Sequence, residues 1–306
     1  MSTQVSEDLD ERARFRRLRR EVFQMRGFHA EERAIVDAEG RSTAVLHVGT
    51  GTATLLIHGG VGVTAEWAPL AGRLSGRVLI PDRPGFGLSD PRDLRARGFR
   101  RDSADWVAGL LDGLGLDRVE LVAGSMGGFV AIAFATAHPH RVQRLVLAGA
   151  AGGLFPDPGL FLRLWATPGI GAAVSRMMPR DTESVRRKAF GGYLAHPERV
   201  PDDILEVALA AMRMPGWAAA NREILREVTT LRGWRPEMRL DDDLVGSGVR
   251  TAFVVGEGDA LMTVASARAL GERMPQAEVY VIEDAGHIPH LDQPEAVAAA
   301  IEAGRD

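Results

Sequence analysis

Residues 119–139 constrain the fold of this chain more than any other stretch. They begin with an apolar run that is typical of a buried strand, continue into helix-forming residues and stop at a proline. Ser125 lies where the strand pattern ends and the helix pattern begins, and Gly124, Gly127 and Gly128 are close to it in sequence. Glycines permit a sharp turn and close packing of a helix on a strand. The stretch therefore predicts a strand, a tight reversal that carries a serine, and a helix.

A serine at such a reversal has two interpretations. In the nucleophile elbow, G-x-S-x-G, a strained turn exposes the hydroxyl beside helix N–H groups that can stabilise a negative oxygen. Here Ala123, the next smallest residue, replaces the first glycine. In the alternative, Ser125 is the N-cap of an ordinary strand–helix unit. The motif favours a nucleophile and leaves the N-cap interpretation open.

Length and composition narrow the class of protein. A chain of 306 residues suits two domains, or one large domain with an insertion. The chain has no cysteine, which excludes a thiol nucleophile, disulfides and thiolate metal sites. Its net charge of −4 gives no reason to expect nucleic-acid binding. The N-terminus is acidic and has no apolar signal, and the apolar runs are too short to span a membrane, so we expect a cytoplasmic protein. The expected partner is a small-molecule substrate.

Strand and helix patterns alternate through most of the chain. A helix is predicted at residues 102–114, and apolar strands precede and follow it. This alternation is typical of an α/β fold, a mostly parallel sheet with helices on both faces. We predict four parts, which are a helical N-terminal arm, a first core part, a helical insertion and a second core part: residues 1–30, 31–151, 152–248 and 249–306.

The N-terminal arm is predicted as a helix over residues 7–27. Phe15, Leu18 and Val22 share one face, and arginines cover much of the rest. A basic amphipathic helix can bind a membrane surface or a partner. The alternative, a solvated arm packed on the main domain, is favoured because an acidic run directly precedes the arginines.

The insertion breaks the alternation and is rich in tryptophan and methionine. Helices are predicted at residues 159–167, 182–194, 202–212 and 218–230, and no clear strand is expected. Methionine adapts to irregular cavities, but ordinary helix packing explains these residues equally well. The candidates for a substrate pocket are Trp67, Trp165, Met177 and Trp217.

Polar residues in three loops are expected to have structural roles. His58, within the glycine-rich exit of a buried strand, is expected to hold that loop rather than act as a base. Asp82 and Arg83 are expected to form an ion pair with each other or to cap loop amides. Asp292, three residues before Glu295, resembles a capping-box start for the last helix.

Ser125, Asp259 and His287 each follow a predicted strand. Ligands of parallel α/β sheets bind at the carboxyl ends of the strands, so these side chains are expected to lie together. A serine hydroxyl needs an imidazole to take its proton, and the imidazole needs a carboxylate to fix its tautomer. Glu257 is the alternative acid, and Asp259 is preferred as the later and more exposed position.

The chain resembles the α/β-hydrolase fold superfamily from about residue 31 onwards. The resemblance implies an eight-stranded sheet with a helical cap, or lid, after the sixth strand. It also implies Ser125 as nucleophile, His287 as base and Asp259 as acid, with the N–H groups of Gly60 and Met126 as oxyanion hole. No cofactor or metal is implied. The matching motifs are H-G-G at 58–60, D-R-P-G-F-G-L-S-D at 82–90, A-G-S-M-G-G at 123–128, G-E-G-D at 256–259 and G-H-I-P-H-L-D-Q-P-E at 286–295.

The expected reaction is hydrolysis of a carboxylic ester or lactone with an apolar body through an acyl-enzyme. The alternatives are carbon–carbon hydrolysis, acyl transfer or cofactor-free peroxidation at the same site, and a ligand-binding protein with little turnover. Ser125 stands where epoxide and haloalkane relatives have an aspartate, and Met126 where haloalkane relatives have a tryptophan. Ile288 replaces a tryptophan common in carbon–carbon hydrolases, which disfavours that reaction. No feature of the sequence indicates an oligomeric state.

Overall fold

In the computed structural model, which describes residues 2–60 and 63–305, eight strands form one sheet and two short strands form a separate hairpin. The strands are β1 Glu31–Val36, β2 Ser42–Gly49, β3 Ala53–Ile57, β4 Arg77–Pro81, β5 Val119–Gly124, β6 Val142–Ala151, β7 Thr229–Thr230, β8 Gly233–Trp234, β9 Thr251–Gly256 and β10 Ala277–Ile282.

The large sheet has the order β1-β2-β4-β3-β5-β6-β9-β10. β2 is antiparallel to both of its neighbours, β1 and β4, and the remaining pairs are parallel. Every residue of β5 and of β9 is buried, because helices cover both faces of the sheet. The predicted fold class, an eight-stranded and mostly parallel α/β sheet, is confirmed.

Helices connect and cover these strands. They are α1 Ser2–Gln24, α2 Ala68–Ala71, α3 Leu94–Arg97, α4 Phe99–Leu114, α5 Ser125–Ala137, α6 Leu160–Ala166, α7 Ile170–Ser175, α8 Thr182–Val185, α9 Asp202–Arg213, α10 Trp217–Val228, α11 Asp241–Gly246, α12 Val264–Glu272, α13 Pro289–Asp292 and α14 Pro294–Ala303. Short 3₁₀ turns occur at Thr64–Trp67, Pro139–Arg141, Pro197–Arg199 and Pro236–Met238, and a π turn at Arg186–Phe190.

The N-terminal helix packs on the rest of the molecule. Phe15 and Val22 are almost completely buried, and α1 contacts α9. Arg19, also buried, forms ion pairs with Asp82, at 2.5 Å, and with Glu32. This agrees with the interpretation of α1 as an arm packed on the main domain. It also shows that Asp82 pairs with Arg19 of α1 and not with Arg83, so the expected ion pair between these two neighbours was wrong. The alternative expectation, that Asp82 caps a loop amide, is confirmed, because its carboxylate accepts a hydrogen bond from the Leu88 N–H at 2.9 Å.

Residues 152–250, which we call the inserted segment, separate β6 from β9. Three of its four predicted helices lie where they were predicted, but the one predicted at 182–194 is an α-helical turn followed by a π turn that ends before Gly191 and Gly192. Glycine is a poor helix former, which explains the early end. The β7–β8 hairpin was not predicted, because strands of two residues show no alternation.

The last helix begins differently from the prediction. Its first residue is Pro294 and its N-cap residue is Gln293, without a side-chain cap. Proline suits the first turn, where its missing N–H leaves no bond unmade. The Asp292 carboxylate is bound elsewhere, to backbone N–H groups of Gly286, Ala195 and His196. The expected capping box was therefore wrong.

The helices of the described residues include none that is both long and apolar enough to cross a lipid bilayer.

Candidate active site

Ser125 lies on the reversal between β5 and α5. Its φ is 52°, a left-handed conformation that is strained for any residue except glycine. A Cβ atom at Gly127 or Gly128 would collide with the Ile57 backbone or the Ala151 side chain. These two glycines therefore let α5 pack directly against the neighbouring strands. The N-cap residue of α5 is Gly124, with no side-chain cap, so the N-cap interpretation of Ser125 was wrong.

Asp259 lies just beyond β9 and is only 5% exposed. Its carboxylate accepts hydrogen bonds from the backbone N–H groups of Ala150, at 2.9 Å, and Leu261, at 2.8 Å. Burial raises the pKa of Asp259, but these bonds and the neighbouring His287 outweigh burial and lower it overall. Glu257 is the exposed one of the two acids. The sequence expectation that Asp259 is the more exposed was wrong.

His287 lies in the loop after β10 and is 4% exposed. Its Nδ1 is 3.2 Å and 3.3 Å from the two Asp259 carboxylate oxygens. Because a carboxylate only accepts, Nδ1 carries the proton and Nε2 has a free lone pair. Nε2 is buried and has no hydrogen-bond partner within the described part of the chain. A histidine held in this way can accept a proton at Nε2.

Ser125 and His287 line the same cavity of about 100 Å³, which we call the Ser125 cavity. Gly60 and Met126 line it as well, and a Cβ at Gly60 would lie 3.6 Å from Met126 Cγ. The residues expected to donate N–H groups to an oxyanion thus lie together beside Ser125. Val61 and Gly62, the rest of that glycine-rich loop, lie outside the described residues. The apolar wall consists of Phe155, Pro158, Leu162, Trp165, Ala189, Phe190, Ile224, Leu225, Trp234, Leu261 and Ile288.

Only one of the four predicted pocket residues, Trp165, lines this cavity. Trp67 is completely buried and stacks on His290, with ring centroids 3.8 Å apart. Trp217 packs behind Trp165, with centroids 5.8 Å apart. Met177 is 63% exposed. The prediction was wrong for these three residues, because sequence periodicity does not tell which neighbour a buried face meets.

Polar side chains surround the Gly59 backbone. The sequence did not predict that they would meet there. His58 Nε2 accepts the Arg83 N–H at 3.0 Å, and His58 Nδ1 lies 3.0 Å from the Gly59 oxygen. Arg83 Nη2 donates to the same oxygen at 2.8 Å, and the Gly59 N–H donates to Glu66 Oε1 at 3.2 Å. His58 holds its loop as expected. Glu66 carried no motif by which the sequence could have singled it out.

Burial determines the charge states of this group. The pKa of His58 lies well below its ordinary value, because the ring is completely buried and the positive charge of Arg83 is close. Burial also lowers the pKa of Arg83 to about 10, with an opposing contribution from Glu66. At neutral pH the group therefore holds a neutral histidine and a guanidinium cation.

A larger cleft of about 340 Å³ lies between the loop after β4 and helices α4 and α10. It shares Arg83 and Ile224 with the Ser125 cavity, but neither Ser125 nor His287 lines it. In the part of the chain that the structure describes, no three His, Asp or Glu side chains converge as a metal ion requires. The Ser125 cavity is therefore the candidate active site.

Comparisons with known proteins agree with this geometry. The model of the alpha/beta hydrolase fold family matches residues 53–294. The chain is 31% identical over 278 residues to a 2-hydroxy-6-oxo-2,4-heptadienoate hydrolase of Pseudomonas putida, covering 88% of this chain and 94% of that protein.

Two solved structures are similar over nearly the whole chain. One is a meta-cleavage product hydrolase of Pseudomonas fluorescens, with a TM-score of 0.69, 25% identity, and coverage of 89% of this chain and 98% of the other. The second is a thermophilic esterase of Thermogutta terrifontis, with a TM-score of 0.69, 27% identity, and coverage of 90% and 97%. From its fold, its site geometry and these matches, the chain belongs to the alpha/beta hydrolase fold family.

Proposed function

We propose that this chain is a serine hydrolase in which Ser125 is the nucleophile, His287 the general base and Asp259 its orienting acid. The observation that carries the proposal is the state of His287. Its Nδ1 faces Asp259, and its Nε2, which has no hydrogen-bond partner among the described residues, is buried in the wall of the cavity that Ser125 also lines. An imidazole in this tautomer can activate a serine hydroxyl.

The proposed reaction proceeds in two halves. His287 Nε2 takes the Ser125 proton while the oxygen attacks the substrate carbonyl, and the N–H groups of Gly60 and Met126 bind the resulting oxyanion. His287 then gives the proton to the departing alcohol, which leaves an acyl-enzyme. A water molecule, deprotonated by His287, attacks the acyl group, and return of that proton to Ser125 releases the acid. The ionised Asp259 stabilises the histidine cation in both halves.

The substrate that we propose is a carboxylic ester or lactone with an apolar body. Aromatic and aliphatic side chains form most of the cavity wall, and the inserted segment supplies many of them. We propose that this segment is the lid, or cap, of the site. The buried cation in the wall, Arg83, is already bound to a backbone carbonyl and faces the charge of Glu66. This arrangement favours a neutral substrate over a carboxylate.

The second candidate is hydrolysis of a carbon–carbon bond next to a carbonyl. It is supported by the names of several relatives, among them the heptadienoate hydrolase of Pseudomonas putida and a 2-hydroxymuconate semialdehyde hydrolase of a Pseudomonas species. The same serine, histidine and oxyanion donors serve either reaction. The difference lies in the leaving group, which is an alcohol in one case and a carbon acid in the other.

A fluorophosphonate probe and two substrates test the proposal. We expect the probe to label wild type at Ser125, and Ser125→Ala to lose both labelling and turnover, by about 10⁴-fold or more. Ser266→Ala, an exposed serine on α12, is the matched control and keeps both. Faster turnover of 4-nitrophenyl butyrate than of 2-hydroxy-6-oxo-2,4-heptadienoate supports an esterase, and the reverse supports the second candidate.

Two results contradict the proposal. Near-wild-type hydrolysis by Ser125→Ala would show that another group is the nucleophile. Labelling without turnover of either substrate, or of a wider ester panel, would favour a ligand-binding protein.

A further inference from the structure

The peptide unit between Gly59 and Gly60 is held by charged and polar side chains on its carbonyl side. The Gly59 oxygen lies 2.8 Å from Arg83 Nη2 and 3.0 Å from His58 Nδ1. Because His58 Nε2 accepts the Arg83 backbone N–H, the neutral ring carries its proton on Nδ1 and donates it to that oxygen. One carbonyl thus accepts two hydrogen bonds.

Arg83 differs from two other arginines with buried guanidinium groups, Arg19 and Arg92. Arg19 and Arg92 place their guanidinium groups against carboxylates, at 2.5 Å from Asp82 and 2.7 Å from Asp102. Arg83 is just as buried, with 2% exposed, and directs Nη2 to a backbone carbonyl in the wall of the Ser125 cavity. The guanidinium carbon of Arg83 also lies over the Phe86 ring, 4.5 Å from its centroid, in a cation–π contact.

Because the peptide bond is planar, the hydrogen bonds to the Gly59 oxygen also orient the Gly60 N–H. In a planar trans peptide the C=O of Gly59 and the N–H of Gly60 point in opposite directions, so fixing the first fixes the second. Hydrogen bonds to the oxygen also polarise the amide and make its N–H a stronger donor. A Cβ at Gly59 would lie 3.2 Å from Ser125 Cβ, so this peptide is next to the nucleophile.

We propose that Arg83 and His58 are positioning residues for oxyanion stabilisation, which orient and polarise the Gly59–Gly60 peptide so that the Gly60 N–H binds the tetrahedral intermediate. The inference rests on the proposed function, because it assumes a negatively charged oxygen beside Gly60. Arg83 touches no reacting atom in this role. Its effect is on the transition state and not on substrate binding.

The experiment compares Arg83→Met, Arg83→Lys and Arg92→Met with wild type. Steady-state kinetics with 4-nitrophenyl butyrate give kcat and KM, and inhibition gives the affinity for two probes. Butylboronic acid forms a tetrahedral anion on a serine, whereas butyramide mimics the planar ground state. Thermal melting reports folding of each variant. Arg92→Met is the matched control, since it removes a buried guanidinium from the same loop region without touching Gly59.

We expect Arg83→Met to lower kcat by about 10- to 100-fold, less than the roughly 10²–10³ of a lost direct donor. KM and butyramide inhibition stay near wild type, and boronic acid binding weakens by a factor similar to that in kcat. Arg83→Lys retains the charge and one donor, so we expect smaller losses of kcat and of boronic acid binding, again with KM and butyramide inhibition near wild type. If Arg83→Met melts below the assay temperature, Arg83→Lys is the variant that tests the inference. Arg92→Met lowers the melting temperature and leaves kcat unchanged.

Two outcomes overturn the inference. Equal losses in boronic acid and butyramide binding, or an unchanged kcat in folded Arg83 variants, would leave Arg83 a structural residue. A rise in KM confined to carboxylate-bearing substrates would make Arg83 a substrate anchor instead. Failure of the proposed function looks different, because wild type itself would then neither react with a fluorophosphonate nor bind the boronic acid.

Discussion

Glu257 and Asp259 are two positions apart and lie in different environments. Asp259 is buried and faces His287, whereas Glu257 is exposed at the end of β9. The difference arises because backbone N–H groups of Ala150 and Leu261 bind the Asp259 carboxylate and hold it inward. Hydrogen bonds to an ionised carboxylate lower its pKa, so Asp259 stays charged at the pH where a hydrolase works.

Replacing the two acids in turn tests their roles. We expect Asp259→Asn to lower kcat/KM by about 10⁴-fold, because an amide can donate to Nδ1 and favour the wrong imidazole tautomer. Glu257→Gln, the matched control with the same chemical change, stays near wild type. The measurement is ester hydrolysis by variants whose circular dichroism matches wild type. A larger loss in Glu257→Gln would assign the acid to that residue.

The acid side of the pH profile follows from the same pair. A base must be neutral to accept the serine proton, so kcat/KM falls as His287 becomes protonated. The pKa of Asp259 is lowered from its ordinary 3.8, so its carboxylate stays ionised in mild acid and is neutralised only below that value. We therefore expect a single protonation to account for the loss in mild acid. A second protonation step of kcat/KM in mild acid would contradict the ionised state of Asp259.

At the scale of elements, the inserted segment is hydrogen-bonded to the loop that carries His287 and to α13, which follows it. The Asp292 carboxylate accepts N–H groups from Gly286, at 2.8 Å, and from Ala195 and His196, both at 3.1 Å. The backbone N–H of His287 donates a hydrogen bond to the backbone carbonyl oxygen of Tyr193 at 2.5 Å. The position of the histidine backbone therefore depends on the segment that also forms much of the cavity wall.

His196, a partly exposed histidine, makes this connection sensitive to pH. Hydrogen bonds to Asp284 and then to Glu198 raise the pKa of His196 above its ordinary value. A raised folded-state pKa stabilises the fold below the ordinary value of about 6.5, and that contribution is lost as pH rises through the folded-state pKa. We expect the melting temperature of His196→Ala to fall below wild type in mild acid and to approach it in mild alkali.

His140→Ala, which removes an exposed histidine outside this cluster, is the control, and its difference from wild type should not follow that trend. Added salt should reduce the effect of His196, because exposed charges are screened. A His196→Ala difference that is the same at every pH would contradict the linkage.

At the scale of the molecule, loops and turns at the ends of sheet strands carry Ser125, Asp259 and His287, the proposed reactive residues, and the inserted segment supplies much of the apolar surface of the Ser125 cavity. The cavity has a volume of about 100 Å³, from which we expect a preference for a short acyl or alkyl group. Each methylene that leaves water contributes roughly 0.8 kcal/mol, or about fourfold in kcat/KM where that energy reaches the transition state.

A chain-length series of 4-nitrophenyl esters measures this effect. We expect kcat/KM to rise from acetate to a short-chain optimum and then fall, and Trp165→Leu to move the optimum to longer chains. Trp106→Leu is the control, because Trp106 lies on α4 and does not line the Ser125 cavity. A flat profile that neither substitution changes would mean that the inserted segment does not shape the pocket.

The sequence by itself determined the alternation of strands and helices in the main sheet, the serine on a strand-to-helix reversal, and an aspartate and a histidine after later strands. These features could be predicted because they depend on local properties, namely periodicity, glycine and proline positions, and the meeting of parallel strand ends at one edge. The Asp259–His287 contact follows from that topology, while the catalytic roles stay predictions.

Only the tertiary structure decided which side chains meet. It paired Asp82 with Arg19 instead of Arg83, directed Arg83 to the Gly59 carbonyl, and stacked Trp67 on His290 while Trp165 reached the cavity. Each choice depends on residues far apart in the chain, whose contacts are selected by packing and by the need to satisfy buried polar groups. Local patterns predict that such a residue is buried, but its partner depends on the completed fold.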